Sequence, residues 1–193
     1  DFCGRVISID KSISNEFYVN ERVIGMMELF FTQYGAAAEY VVVEEKLLAH
    51  APENLSSIQC AAIPLTSLTV YQALKSYIKY MKCDIINNNY EPLKGKRILI
   101  QAGSGGVGSF AIQYCKHILG MYVLATCSTK NISFVKSIGA DFVIDYTKIE
   151  FDCGVADIGA TNCDVVLDCK SYLYEKRTFC PDSKVLKLNV STK

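Results

Sequence analysis

The chain has 193 residues, half of them apolar, and its twenty basic residues are balanced by twenty acidic ones. That is enough apolar material for a buried core in one full domain or two partial ones. The lack of net charge removes any broad electrostatic pull toward nucleic acid or an anionic membrane, and no apolar run is long enough to read as a transmembrane helix.

Asp1 opens the chain without an initiator Met or a signal-like stretch, so the natural N-terminus is expected upstream. Residues 1 to about 50 read as short strands, "RVISI", "ERVIGM" and "AEYVVVEEKLLA", the mark of a piece of an all-β domain. From Ser56 the period changes. Val70, Leu74, Ile78 and Met81, with Tyr71 and Tyr77 beside them, predict a helix with one buried stripe, and Pro64 separates it from a shorter helix before it. "CDIINNNYEPLKGK" is polar and carries Pro and Gly, so it predicts a loop.

Strand and helix then alternate. "RILIQA" predicts a strand, "GVGSFAIQYCKHIL" a helix, "MYVLATC" a strand, "NISFVKSIG" a helix, and "DFVIDY", "CDVVLDC" and "KVLKLNV" three further strands. Strands so apolar throughout belong in a parallel sheet covered on both faces, which predicts a doubly wound α/β fold. The nine cysteines form no C-x-x-C pair and no zinc-finger spacing, so they read as buried reduced thiols. Period-two alternation puts Cys163 and Cys169 on one side of their strand. His50 and His117 lack a patterned acid or thiol, which argues against a Ser/His/Asp or Cys/His hydrolase.

Gly103, Gly105 and Gly108 satisfy G-x-G-x-x-G directly after a predicted strand and at the start of a predicted helix. In this motif the first glycine serves the tight turn, the second lets a pyrophosphate approach the backbone, and the third lets helix and strand pack closely. Amides at the helix start, with the helix dipole, then bind phosphate without a charged side chain. A P-loop would need Lys and Ser or Thr after the last glycine, whereas Ser109 and Phe110 follow Gly108. A methyltransferase would want an acid at the end of the second strand, and none is there. The same missing acid selects the dinucleotide. A carboxylate at that position holds a free ribose 2′-hydroxyl but would repel a 2′-phosphate. The strand ends instead "ATCSTKN", with Ser128 and Lys130 available, which favours NADPH over NADH.

The stretches "DFCGRVISI", "NERVIG", "AAAEYVVV", "AAIPLTSLTVYQAL", "GKRILIQAGSGGVGSFAIQ" and "CSTKNISFVKSIGADFVIDY" resemble the medium-chain dehydrogenase/reductase superfamily. The likeness is to its zinc-independent quinone oxidoreductase branch, and within that to the reticulon-interacting mitochondrial oxidoreductase group. It runs through nearly the whole chain in the family's order. The resemblance implies part of a GroES-like β-barrel domain over residues 1–60 and an NADP-binding Rossmann domain over 61–193, incomplete at its C-terminal end, so that the chain is a fragment.

Carried over residue by residue, the resemblance implies a pyrophosphate loop of Ser104, Gly105, Gly106, Val107 and Gly108. It places Ser128 at the adenosine-side phosphate with Lys130 close by, Tyr146 flanking the same pocket, and Thr69 near the nicotinamide. No catalytic side chain is implied. Zinc-dependent relatives carry a cysteine ligand where this chain has Leu65, and their cysteine cluster is absent between Val23 and Tyr40, so no metal is expected. One departure stands out: where the family has a glycine pair after the fourth strand, this chain has Lys170 and Ser171.

The resulting expectation is an NADPH-dependent oxidoreductase that passes hydride to a quinone or an α,β-unsaturated carbonyl without zinc. The alternative is an NADPH-binding interaction or redox-sensing protein with little turnover. A small-molecule acceptor is the expected partner, with no nucleic acid; a homodimer is compatible with the family. An intracellular location is expected, mitochondrial by resemblance, with the cytoplasm left open.

Overall fold

The structure, a computed structural model, describes residues 1–10, 16–27, 35–148, 163–169 and 184–187. It divides into two compact units, Asp1–Leu68 and Thr69–Lys193. In the first unit β1 (Phe2–Arg5), β2 (Arg22–Gly25) and β3 (Leu48–His50) form an antiparallel sheet in the order β1-β2-β3. Here two expectations shift. β1 lies earlier than "RVISI" suggested, and of the long run "AEYVVVEEKLLA" only Leu48 and Ala49 pair, together with His50 just after it. Glu45–Leu47 instead make a 3-10 turn, while Tyr40 and Val42 are 73% and 95% exposed. Their β-branched and aromatic composition favours a strand only when a neighbour offers a surface to pack on.

The Arg22 guanidinium ties this sheet to the segment that follows, donating to the Leu55 carbonyl at 2.8 Å. Helix α1 (Ser57–Ala61) then starts on a capping box, in which the Ser56 hydroxyl accepts from the Gln59 amide and the Gln59 side chain accepts from the Ser56 amide. Helix α2 (Pro64–Tyr80) opens on Pro64, at the one helical position where a missing N–H costs nothing. Its stripe is as predicted: Val70, Leu74 and Ile78 are fully buried with Tyr77 beside them, and Met81, just past the helix end, packs against the same core.

The second unit holds a parallel five-stranded sheet, built from β4 (Arg97–Ile100), β5 (Tyr122–Cys127), β6 (Phe142–Asp145), β7 (Val165–Asp168) and β8 (Lys184–Lys187). Its order is β6-β5-β4-β7-β8. In chain order that is 3-2-1-4-5, the doubly wound Rossmann arrangement, whose direction reverses between its first and fourth strands. Helix α3 (Gly106–Gln113) continues as a π-helical turn over Tyr114–Ile118, and α4 (Ile132–Ser137) follows β5.

Both faces of the sheet are buried, which explains why the strands read as unbroken apolar runs. Ile98, Ile100, Val123, Ala125, Val165 and Leu167 pack with side chains of α2, α3 and α4, and Leu99, Leu124, Ile144 and Val166 form a second cluster. Cys163 joins that second cluster and Cys169 packs with the first. They are therefore not neighbours on one face, because Cys163 precedes the first paired residue of β7 and strand alternation does not extend to it. The cysteine that Cys169 approaches is Cys115, fully buried on the π-helical turn. Burial raises both thiols, that of Cys169 to about 12, so neither supplies a thiolate near neutrality.

Candidate functional site

The main chain leaves β4 at the reversal point of the sheet. The Gln101 N–H donates to the Leu167 carbonyl at 3.0 Å, on the β7 side. The next two N–H groups turn the other way: Ala102 donates to Thr126 Oγ1 at 3.1 Å and Gly103 donates to the Thr126 carbonyl at 2.8 Å, at the end of β5. Thr126, only 4% exposed, thus fixes the loop by both its hydroxyl and its backbone.

The glycines act somewhat differently from the sequence reading. The left-handed residue of the turn is Ala102, with φ of 51°, and not Gly103. Gly103 is bare for closeness instead, since a Cβ there would stand 2.9 Å from the Ala125 methyl and 3.1 Å from Ile112 Cδ1. A Cβ on Gly108 would run into the Ala102 carbonyl and lie 2.9 Å from the Gly103 Cα. A Cβ on Gly105 would meet only the Ala102 oxygen, at 3.3 Å.

This loop presents donors. The Gly105 N–H is engaged with the Ala102 carbonyl at 2.9 Å, closing the turn. The first amides of a helix have no intrahelical acceptor, and α3 has no capping side chain at Gly105. Among the described residues the N–H groups of Gly106, Val107 and Gly108 therefore point out of the helix end without a partner, where the dipole adds partial positive charge. Such a helix end can accept an anion, and it lies in the crevice that a doubly wound sheet opens at its reversal point.

A second set of side chains adjoins it. Ser128 precedes a 3-10 turn, Thr129–Asn131, that connects β5 to α4. The Asn131 carboxamide donates to Ser104 Oγ at 3.0 Å and to Ser128 Oγ at 3.3 Å, so the glycine loop and this turn are joined by one side chain. The turn is also held from β6. Asp145 Oδ2 accepts from Thr129 Oγ1 at 2.6 Å, and Oδ1 accepts from the Thr147 hydroxyl at 2.7 Å and the Thr147 N–H at 3.0 Å. The hydroxyls of Thr129 and then Thr147 hold the Asp145 carboxyl below its ordinary range.

Of the residues the sequence singled out, Ser104, Gly105, Gly106, Val107, Gly108 and Ser128 come together around this loop. Lys130 is exposed on the same 3-10 turn and makes no ion pair among the described residues. Tyr146 is 49% exposed at the end of β6, its N–H donating to the Cys127 carbonyl at 3.2 Å. Thr69 is half-buried in the second turn of α2 and is not part of the network that joins Ser104, Ser128 and Asn131. Lys170 and Ser171 lie outside the described residues. Sequence reasoning missed Asn131 and Asp145, and in Thr126 it saw only a hydroxyl at the end of the second strand, not the clamp on the loop. Only Asp145 left a signal, as an acid at the end of an otherwise apolar strand.

Comparison with known proteins agrees with this fold. Residues 106–174 match the family described as "Zinc-binding dehydrogenase". The chain is 45% identical over 121 residues to a 2-methylene-furan-3-one reductase of Solanum lycopersicum, covering 62% of this chain and 28% of that protein. It is 35% identical over 173 residues to the chloroplastic quinone-oxidoreductase QR1 of Triphysaria versicolor, covering 90% and 49%. A solved structure, the quinone oxidoreductase from Coxiella burnetii, superposes with a TM-score of 0.67 at 32% identity, covering 87% of this chain and 47% of that one. The chain thus spans half or less of the length of these relatives. Leu65, in the first turn of α2, offers only an alkyl group, and among the described residues no cluster of three His, Cys, Asp or Glu side chains occurs.

Two outcomes follow from the loop. Gly108→Ala forces a methyl group into the Ala102 backbone and should lower stability by about 1–3 kcal/mol in denaturant unfolding, whereas Gly4→Ala, with open space around it, should stay within about 0.5 kcal/mol. Because the folded-state pKa of Asp145 is lowered, the fastening of the turn is present above the ordinary carboxylate pKa and is lost as pH falls through the lowered one. A carboxyl-carbon NMR titration should place the Asp145 midpoint below the ordinary value of 3.8; a midpoint at or above it would contradict the hydrogen bonding described.

Proposed function

Since the chain belongs to the medium-chain dehydrogenase/reductase superfamily, in its quinone oxidoreductase branch, we propose that it is the coenzyme-binding part of an NADPH-dependent reductase acting on a quinone or an α,β-unsaturated carbonyl. The observation that carries this reading is the row of unpartnered amides at Gly106, Val107 and Gly108, set where a dinucleotide pyrophosphate would lie. In this reading residues 1–60 form part of a GroES-like barrel domain and 61–193 the nucleotide-binding domain. The names of the two relatives, a furanone reductase and a quinone oxidoreductase, support the acceptor class.

The phosphorylated coenzyme is preferred on local chemistry. The turn after β5 offers the Ser128 hydroxyl and the Lys130 ammonium, and no carboxylate of its own. Asp145 does approach the turn, but it is 7% exposed and both its oxygens accept hydrogen bonds from threonines, so it is not presented to a ligand. Ser104 to Gly108 bind the diphosphate, Ser128 and Lys130 the extra phosphate, and Tyr146 covers the adenosine side. Thr69 is assigned to the nicotinamide end. Bound reduced nicotinamide supplies the hydride, while the protein contributes orientation and exclusion of water. Zinc has no part in the proposal, because Leu65 replaces the ligand such chemistry needs. The chloroplastic relative and a mitochondrial NAD(P)H oxidoreductase of Drosophila melanogaster, 36% identical over 174 residues, support placement in an organelle, either of the two.

The test is to give the full-length protein NADPH with a panel of quinones and enones and follow absorbance at the reduced nicotinamide band. Acceptor-dependent oxidation with at least tenfold preference for NADPH over NADH is expected. Tight coenzyme binding without oxidation by any acceptor would establish the binding or redox-sensing alternative instead.

A further inference from the structure

We infer that Asn131 is a positioning residue that sets the coenzyme preference, by orienting the hydroxyls of Ser104 and Ser128 as donors toward two different phosphates. The inference rests on the reading that Ser104 lies at the diphosphate and Ser128 at the adenosine 2′-phosphate. Its basis in the structure is a single carboxamide nitrogen placed between two serine oxygens 24 positions apart in sequence, at 3.0 Å from Ser104 Oγ and 3.3 Å from Ser128 Oγ.

A serine hydroxyl carries one proton and two lone pairs, and an amide nitrogen can only donate. By giving one hydrogen to each serine, Asn131 occupies a lone pair on each oxygen and leaves both hydroxyl protons directed elsewhere. Both serines are part-exposed, so those protons are available to an incoming anion, whose oxygens accept and cannot donate. A phosphate satisfies both hydroxyls. The ribose 2′-hydroxyl of the unphosphorylated coenzyme gains less, because one donor facing it replaces the carboxylate acceptor that usually holds it. The same side chain fixes the distance between the two phosphate subsites, since it spans from the glycine loop to the turn after β5.

The turn that carries Asn131 is rigid for an independent reason. Its first residue, Thr129, is fastened to Asp145 at 2.6 Å, and its last, Asn131, donates its N–H to the Ser128 carbonyl at 2.9 Å. The carboxamide is therefore delivered by a pinned backbone and need not be ordered by the ligand, which keeps the entropic cost of binding low.

The test uses the full-length protein and fluorescence titration with NADPH and NADH. Asn131→Asp preserves shape but replaces the donor with an acceptor and a negative charge. The serines would then turn their protons inward, and the expected result is a loss of NADPH affinity of at least tenfold and a smaller loss for NADH, which shares the diphosphate at Ser104 but has no phosphate for Ser128. Asn131→Ala should lose about threefold to tenfold for NADPH in the same direction. In a Ser128→Ala background, Asn131→Ala should no longer move the NADPH to NADH ratio, which separates positioning from a general loss of structure. Variants that keep the wild-type ratio while the wild type binds NADPH would overturn the role of Asn131 alone. A wild type that binds neither coenzyme would remove the parent reading and this inference with it.

Discussion

The candidate site depends on one steric condition: the first turn of α3 lies directly against the carbonyl of Ala102, a contact that only the hydrogen of Gly108 permits. Move the helix outward by the radius of a methyl group and its leading amides no longer face the crevice at the end of β4. The cost of the arrangement is visible at Ala102, a residue with a Cβ held at φ of 51°, a conformation that costs an L-residue roughly 1–2 kcal/mol. Thr126 offsets this by binding the N–H groups of both Ala102 and Gly103, so the strained turn is clamped from the neighbouring strand. Sheet order matters here: β5 must lie beside β4, and β7 on its other side, for Gln101 and Ala102 to bond in opposite directions.

Charge plays a small part in this design of site. The chain is neutral overall, and the proposed phosphate cradle is made of backbone dipoles. In the proposal, the coenzyme is discriminated by the groups around the turn after β5, where hydroxyls and one lysine stand and the nearby carboxylate of Asp145 is turned inward onto threonines. The buried thiols fit the same picture. Cys115 and Cys169 are close enough to interact, yet burial keeps both protonated, which weakens the case for a thiol-based sensor at that place.

The parallel sheet was legible because both its faces are buried, so each strand stands out as an apolar run, and the glycine motif fell where a strand passes into a helix. The buried stripe of α2 was legible for a similar reason, the spacing of Val70, Leu74 and Ile78 on one helical face. The first unit was harder. "AEYVVV" has strand composition, but propensity cannot say whether a pairing partner lies alongside, and Tyr40 and Val42 prove exposed. Contacts between distant segments left almost no trace: nothing around Asn131 announces that its carboxamide reaches back to Ser104, and the hydroxyl of Thr126 gives no sign that it holds the loop after β4. The role of Gly103 was misread because a motif names which residue is bare without saying whether torsion or crowding demands it.

The central claim is that unpartnered amides at the start of α3 hold the diphosphate of a phosphorylated nicotinamide coenzyme. Backbone amide resonances of the full-length protein, followed during titration with NADPH, test it most directly. The account predicts saturable shifts that are largest at Gly106, Val107 and Gly108, with a second group at Ser128 to Asn131 that is smaller when NADH is used. Saturable binding that leaves the Gly106 to Gly108 amides unmoved would contradict it.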